Sequence, residues 1–225
     1  MLVYNRKGKI GITFKDDIPT LFPEYIVEVD KDNEIVYVNG QTITPMSIDV
    51  LDSDTVNDTA MEVSTSMAIN LNGHTISIPD DTEGNGVFHV IKGGYLSIEG
   101  KGTINGVGNN DYNMVIWSDG GRVVIEDGTF TNVGAKGKDD SHFDLIYAKN
   151  GGIVEINGGY FECETPKWTL NNNDSNPGTI IVKGGTFHKY DPSKSETEPG
   201  STFTNFVAPG YKVVRNGDDY TVVKE

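Results

Sequence analysis

The chain has 225 residues, 36% of them hydrophobic, and a formal net charge of −15. That length allows one domain or two small ones, and 27 glycines among frequent Asn and Asp point to an ordered, turn-rich β-protein. The acidic balance argues against nucleic acid and anionic membrane as partners. No apolar run is long enough to span a bilayer, and a single cysteine excludes an internal disulfide.

In chain order, residues 1–45 read as an N-terminal β-hairpin region. Leu2-Val3-Tyr4 and Ile10 to Phe14 flank a basic turn, and Tyr25 to Val29 and Ile35 to Val38 flank a turn at Asp30 to Asn33. Arg6, Lys7 and Lys9 precede Ile10 to Phe14, but that segment is too short and interrupted for the apolar core of a secretion signal. The expectation is a protein that does not leave a cell by the usual secretory route.

Residues 46–190 carry a repeat. Four copies read glycine, any residue, apolar, any residue, apolar, followed by a glycine-bearing turn and one more apolar residue. They are Gly94 to Ile98 with Ile104, Gly121 to Ile125 with Phe130, Gly152 to Ile156 with Phe161, and Gly178 to Val182 with Phe187. A fifth copy, Ile69, Leu71, Gly73 and Ile76, lacks the leading glycine. The first apolar positions, 69, 96, 123, 154 and 180, are 27, 27, 31 and 26 residues apart. A second alternating strand precedes three of the glycines, as Phe88 and Val90, Val115 and Trp117, and Ile146 and Ala148, and Met61 and Val63 hold the same offset in the copy without its glycine. In the last copy Asn172 and Asp174 break the pattern, so Trp168 and Leu170 are expected to supply that strand, with Asn171 to Pro177 looping out.

Each repeat therefore holds two or three short strands and no helix pattern. A unit of this size cannot bury its inner face alone; stacking on its neighbours buries that face and pairs every strand edge. The fold class expected is all-β, a right-handed parallel β-helix of about five rungs, roughly 25 Å long at about 4.8 Å per rung. Ile98, Ile125, Ile156 and Val182 should form one inward ladder and Leu96, Val123, Val154 and Ile180 another. Residues 191–225 begin with a polar stretch. They end in Tyr211 to Val214 and Tyr220 to Val223 joined across Asn216-Gly217, a hairpin signal that predicts a C-terminal cap.

Candidate chemistry is sparse. The best cluster is Asp139, Asp140, His142 and Asp144 in the longest loop between repeats, since a suitably spaced carboxyl pair can hydrolyse a glycosidic bond. No second cluster recurs on neighbouring rungs, and the loop reads as solvated acid on an acidic chain. Glu155, Glu162 and Glu164 read as solvated outward positions. Of Arg6, Arg122 and Arg215, only Arg122 lies in the repeat, where it reads as surface charge rather than as the base of a lyase. His74, His89, His142 and His188 fall on different repeats without metal-ligand spacing. Asp80, Asp81 and Glu83 fit a plain turn better than a calcium loop. Trp117 and Trp168 fall on inward positions, which favours core packing over sugar platforms, and Cys163 reads as a core thiol. The site expectation is no catalytic, cofactor-binding or metal-binding residue.

The repeats over about 61–187, with Gly184-Gly185-Thr186-Phe187 as the cleanest copy, resemble the pectate-lyase-like right-handed β-helix superfamily. The closing stretch adds Asp191-Pro192, Asn205-Phe-Val-Ala208, Gly210-Tyr-Lys-Val-Val214 and Gly217-Asp-Asp-Tyr-Thr-Val222. These are similar to the C-termini of β-helix proteins encoded by tailed bacteriophages and prophages. The resemblance implies a virion appendage: a head fibre, decoration protein, tail fibre or spike. Such a protein would assemble in the host cytoplasm as a homotrimer, dock on capsid or tail proteins through its N-terminal region, and meet a host-surface glycan or protein with its β-helix. The chain departs from the tail-spike enzymes in its shortness and in lacking an acid pair along a groove, so a non-enzymatic structural protein is expected. The alternatives are a tail-spike depolymerase or glycosidase on the same fold, and a bacterial surface adhesin. Tyr95, Val124, Ile153 and Ile181 are expected on one side of the rod as an apolar stripe, to be buried by a trimer or, alternatively, by Phe203 to Tyr211 folding back within one chain.

Overall fold

The computed structural model describes the strand residues 2–6, 9–13, 27–30, 35–38 and 41–43. From residue 46 onward it describes all but 79–85, 107–113, 135–143, 173–174 and 197–202. The chain divides into two compact units, Met1–Asp49 and Val50–Glu225. In the first, Leu2–Arg6 and Lys9–Thr13 form an antiparallel hairpin, and Tyr4 and Asn5 also pair in parallel with Met46 and Ser47. Val27–Asp30, Ile35–Val38 and Gln41–Ile43 form a separate antiparallel meander.

The second unit is a right-handed parallel β-solenoid with three sheets. One sheet stacks Ser66–Asn70, Tyr95–Glu99, Arg122–Ile125, Ile153–Ile156 and Thr179–Val182. A second stacks Thr55–Val56, Thr75–Ser77, Thr103–Asn105, Thr129–Thr131, Tyr160–Glu162 and Thr186–His188. The third stacks Met61–Val63, Phe88–Ile91, Ile116–Asp119, Ile146–Lys149 and Leu170–Asn172. Four turns, beginning at Ser66, Tyr95, Arg122 and Ile153, contribute a strand to all three sheets; partial turns precede and follow them. The only helical element among the described residues is a single 3-10 turn, Pro166–Trp168.

The strands exist because apolar residues alternate, and the alternation points one set into the rod. Leu96, Val123, Val154 and Ile180 form one buried ladder and Ile98, Ile125, Ile156 and Val182 the next, as the repeat predicts. On the second sheet, Ile76, Ile104, Phe130, Phe161 and Phe187 stack inward. The three phenylalanine rings lie nearly parallel, with centroids 5.0 and 4.8 Å apart.

The end of the rod is closed as the hairpin signal predicts. Asp219–Lys224 pairs antiparallel with Thr186–His188 and with Tyr211–Asn216. Before it, Val207 bridges Val182, so residues 206–208 prolong the first sheet at the same end.

Two register expectations are corrected. Ile69 lies beside Ile98, not Leu96, and Met67 takes the place beside Leu96. The buried Leu71, an extra inward residue after that strand, mimics the second apolar position of the repeat and shifts the apparent frame by two. On the third sheet, Ile116 and Ser118 point inward and Trp117 outward. The corner between Asp119 and Arg122 has two residues where those after Ile91 and Lys149 have three, so counting back from the glycine inverts the parity of this strand. In the last turn Leu170 supplies the strand, together with Asn171 and Asn172, while Trp168 sits in the 3-10 turn before it.

Candidate functional site

The outer faces of a stacked rod bring every equivalent position of successive turns into a row, and these rows are where a site would be built. On the first sheet the rows read Tyr95, Arg122, Ile153, Thr179 and Ser97, Val124, Glu155, Ile181. The expected apolar stripe is therefore broken: Arg122 separates Tyr95 from Ile153, and Glu155 separates Val124 from Ile181. Four apolar residues next to inward positions do not share one row, because the apolar outward residue alternates between the two rows from turn to turn. Glu155 is not the solvated side chain expected. Its side chain is only 6% exposed, with Arg122 Nη2 3.3 Å from Oε2 and Lys183 Nζ 3.4 Å from Oε1. Two cations from the flanking turns neutralise a carboxylate set between apolar neighbours.

On the third sheet the outward row is Glu62, His89, Trp117, Tyr147, Asn171. His89 stacks on Trp117 with centroids 4.1 Å apart, and Tyr147 follows at 6.3 Å. Trp117 is thus outward, against expectation, with one ring face covered by His89. Trp168 is buried as expected, with Lys167 Nζ 5.2 Å from its ring centroid.

Several of the other acids are tied to another turn. Asn70 donates to Glu99 at 2.8 Å and Asn157 to Glu126 at 3.0 Å. Asp119 faces His89 Nε2 at 3.2 Å and accepts from Asn150 at 2.6 Å. Glu164 accepts from the Gly134 N–H at 2.6 Å, and Asp219 faces His188 Nδ1 at 2.8 Å. His74 lies 3.4 Å from Asp54. Of the loop cluster, Asp144 is buried and accepts from Asn171 Nδ2 at 3.0 Å, so it too serves as a tie. Asp139, Asp140 and His142 lie outside the described residues, as do Asp80, Asp81 and Glu83. Glu162 is half-buried on the outer face of the second sheet. Cys163 is buried, as expected, and burial pushes its thiol up to about 12, which keeps it protonated and unreactive at neutral pH.

A shallow groove of ≈ 340 Å³ crosses three turns at one corner, lined by Lys101, Gly102, Asp127, Gly128, Thr129, Gly159 and Tyr160. The pairing of Thr103 with Thr129 and of Thr129 with Tyr160 aligns the three glycines before them in one column. Its single carboxylate, Asp127, accepts from the Gly128 N–H at 2.8 Å. Two carboxyl groups flank the bond in most glycosidases, and this groove supplies one. The repeat pattern marks these positions only as corners, so sequence reasoning had no signal for the groove. Among the described residues, no three His, Cys, Asp or Glu side chains gather as metal ligands.

Compared with known proteins, the chain matches no family model, no curated protein and no solved structure.

Proposed function

We propose that this chain is a non-enzymatic structural protein of a bacteriophage virion, of the head-fibre, decoration or tail-appendage kind, that holds its β-solenoid toward a host-surface glycan or protein. The observation that carries this reading is the use made of the acids. Glu99, Asp119, Glu126, Asp144, Glu155, Glu164 and Asp219 are each engaged by a residue of another turn or of the closing hairpin. Carboxylates committed to holding turns together stiffen a rod; a hydrolase needs a pair left facing its substrate. The resemblance of the closing stretch, Gly185 to Val222, to phage β-helix C-termini supplies the virion context. In this reading the unit Met1–Asp49 attaches to capsid or tail. Trimeric assembly, without a continuous apolar stripe to support it, rests on that similarity alone.

Immunogold labelling of phage particles with antibody against the purified chain tests the reading. Gold at the capsid surface or tail is expected, with no reducing ends or unsaturated products released from capsular or cell-wall polysaccharide. Unlabelled particles, or robust polysaccharide turnover, would overturn it.

A further inference from the structure

The groove at the corner between the first and second sheets runs along the rod. Its lining spans three turns, holds ≈ 340 Å³ and carries one cation, Lys101, and one carboxylate, Asp127. Thr103, Thr129 and Tyr160 stand in one outward row beside it, paired turn to turn and each half-buried. Hydroxyl-bearing side chains therefore recur about every 4.8 Å along this wall. The floor is backbone. The carbonyls of Gly102 and Gly128 accept from the Thr129 and Tyr160 N–H groups at 2.8 Å, and the Gly159 carbonyl accepts from the Thr186 N–H at 2.9 Å.

These features select among occupants. A peptide strand docks through free backbone donors and acceptors, and here the next turn already takes the floor carbonyls. An anionic chain finds Lys101 offset by Asp127 in the lining. Burial, together with Glu162 and Asp219, raises the Tyr160 phenol, and the whole chain carries −15, so the field opposes an anion. A neutral sugar chain matches what remains. Its hydroxyls exchange hydrogen bonds with Thr, Asp and Lys side chains, and the apolar face of a sugar ring packs on an aromatic side chain such as Tyr160. Its rings also repeat at close to the rise of one turn, so successive rings meet successive turns. We propose that this groove binds a neutral glycan lengthwise, with Thr129 and Tyr160 at the centre of the contact. With one carboxylate it holds the chain without cleaving it. The inference rests on the reading above that the rod meets a host-surface molecule, and it commits to a glycan and to a place.

Saturation-transfer NMR and titration calorimetry on the full chain test this, with gluco- and manno-oligosaccharides of increasing length as probes. Affinity should rise up to about three sugar residues, one per turn, and level off beyond. It should change less than about twofold between about 0.01 M and about 1 M salt, because the ligand is uncharged. Oligogalacturonate should bind about tenfold more weakly or worse. Thr129→Val removes one hydroxyl at nearly constant shape and should weaken binding about tenfold. Tyr160→Ala removes the ring and should weaken it further, each variant being checked for an unchanged circular dichroism spectrum. No neutral chain bound at millimolar concentration, binding that both variants retain in full, or galacturonate bound as well as the neutral chains would overturn the proposal. Labelled virions without glycan binding at the groove would sink this inference and leave the virion reading standing. Glycan bound at the groove by a chain that labels no particle would sink the virion reading alone.

Discussion

Arg122 on one turn reaches Glu155 on the next, Nη2 to Oε2 at 3.3 Å, and the carboxylate it meets is 6% exposed while the guanidinium is 47% exposed. The asymmetry decides what the pair contributes. An exposed cation keeps most of its hydration, whereas an enclosed carboxylate has lost its own and depends on its partners. Glu155→Gln should lower stability by about 1–3 kcal/mol, read as the urea midpoint at constant slope. Replacing Arg122, Glu155 and Lys183 together by valine should cost much less than that, because no charge is then left enclosed. Equal losses in the two variants would show that the charges stabilise the rod outright.

The inward ladders were legible in the sequence because alternation at a fixed period has one cause, a buried face on a stacked turn. What misled was the corner. One residue fewer between Asp119 and Arg122 turns Trp117 outward, and no composition signal marks that shortening. The fate of Glu155 was illegible for a different reason. An outward acid reads as solvated until its neighbours on adjacent turns are known, and pairing partners 33 and 28 residues away are set by turn lengths, not by local pattern. The groove at Lys101, Asp127 and Tyr160 likewise exists only once three corners are stacked.

Two adjacent glycines, Gly151 and Gly152, are required for separate reasons. Gly151 has φ of +77° and open space where a Cβ would go, so Gly151→Ala should cost only the left-handed backbone penalty, about 1–2 kcal/mol. Gly152 has no such φ, but a Cβ there would stand 2.2 Å from the Ser118 carbonyl oxygen of the preceding turn. Gly152→Ala must push two turns apart and should cost clearly more than Gly151→Ala. Thermal midpoints of the two variants check the order, and the reverse order would show that the turns are less tightly stacked at this corner.

Phe130, Phe161 and Phe187 stack face to face in the core. Phe161 is the middle member and fully buried, with a ring packed on either side. Phe161→Ala should cost about 3–5 kcal/mol, enough to unfold a marginal domain. Phe161→Leu, which keeps most of the volume, should cost less than half of that. Chemical denaturation of both variants checks the ratio; a small effect of alanine would mean that the stack collapses to fill the space.

Alkaline pH should unfold the rod through groups that burial holds protonated. Burial raises the Cys163 thiol from its ordinary 9.0 to about 12 and the Tyr95 phenol from 10.0 to about 12, and it drives the Tyr190 phenol upward as well. Tyr190 is further held by hydrogen bonds to Ser195 Oγ at 2.6 Å and to the Leu170 carbonyl at 3.3 Å. In each case the folded state binds the proton more tightly than the unfolded chain does. The stability these groups contribute is therefore complete below about pH 9 and is lost as pH rises from there toward 12. Thermal midpoints should be insensitive to these groups near neutrality and fall steadily above about pH 9. Phenolate absorbance should report the exposed tyrosines first, with Tyr95 and Tyr190 ionising only as the fold is lost. Cys163→Ala removes the lowest of the three ordinary values, so its decline should begin about one pH unit later, near 10. An unchanged onset in that variant would assign the loss to the phenols alone, and a midpoint that held level to pH 11 or so would contradict the burial of all three.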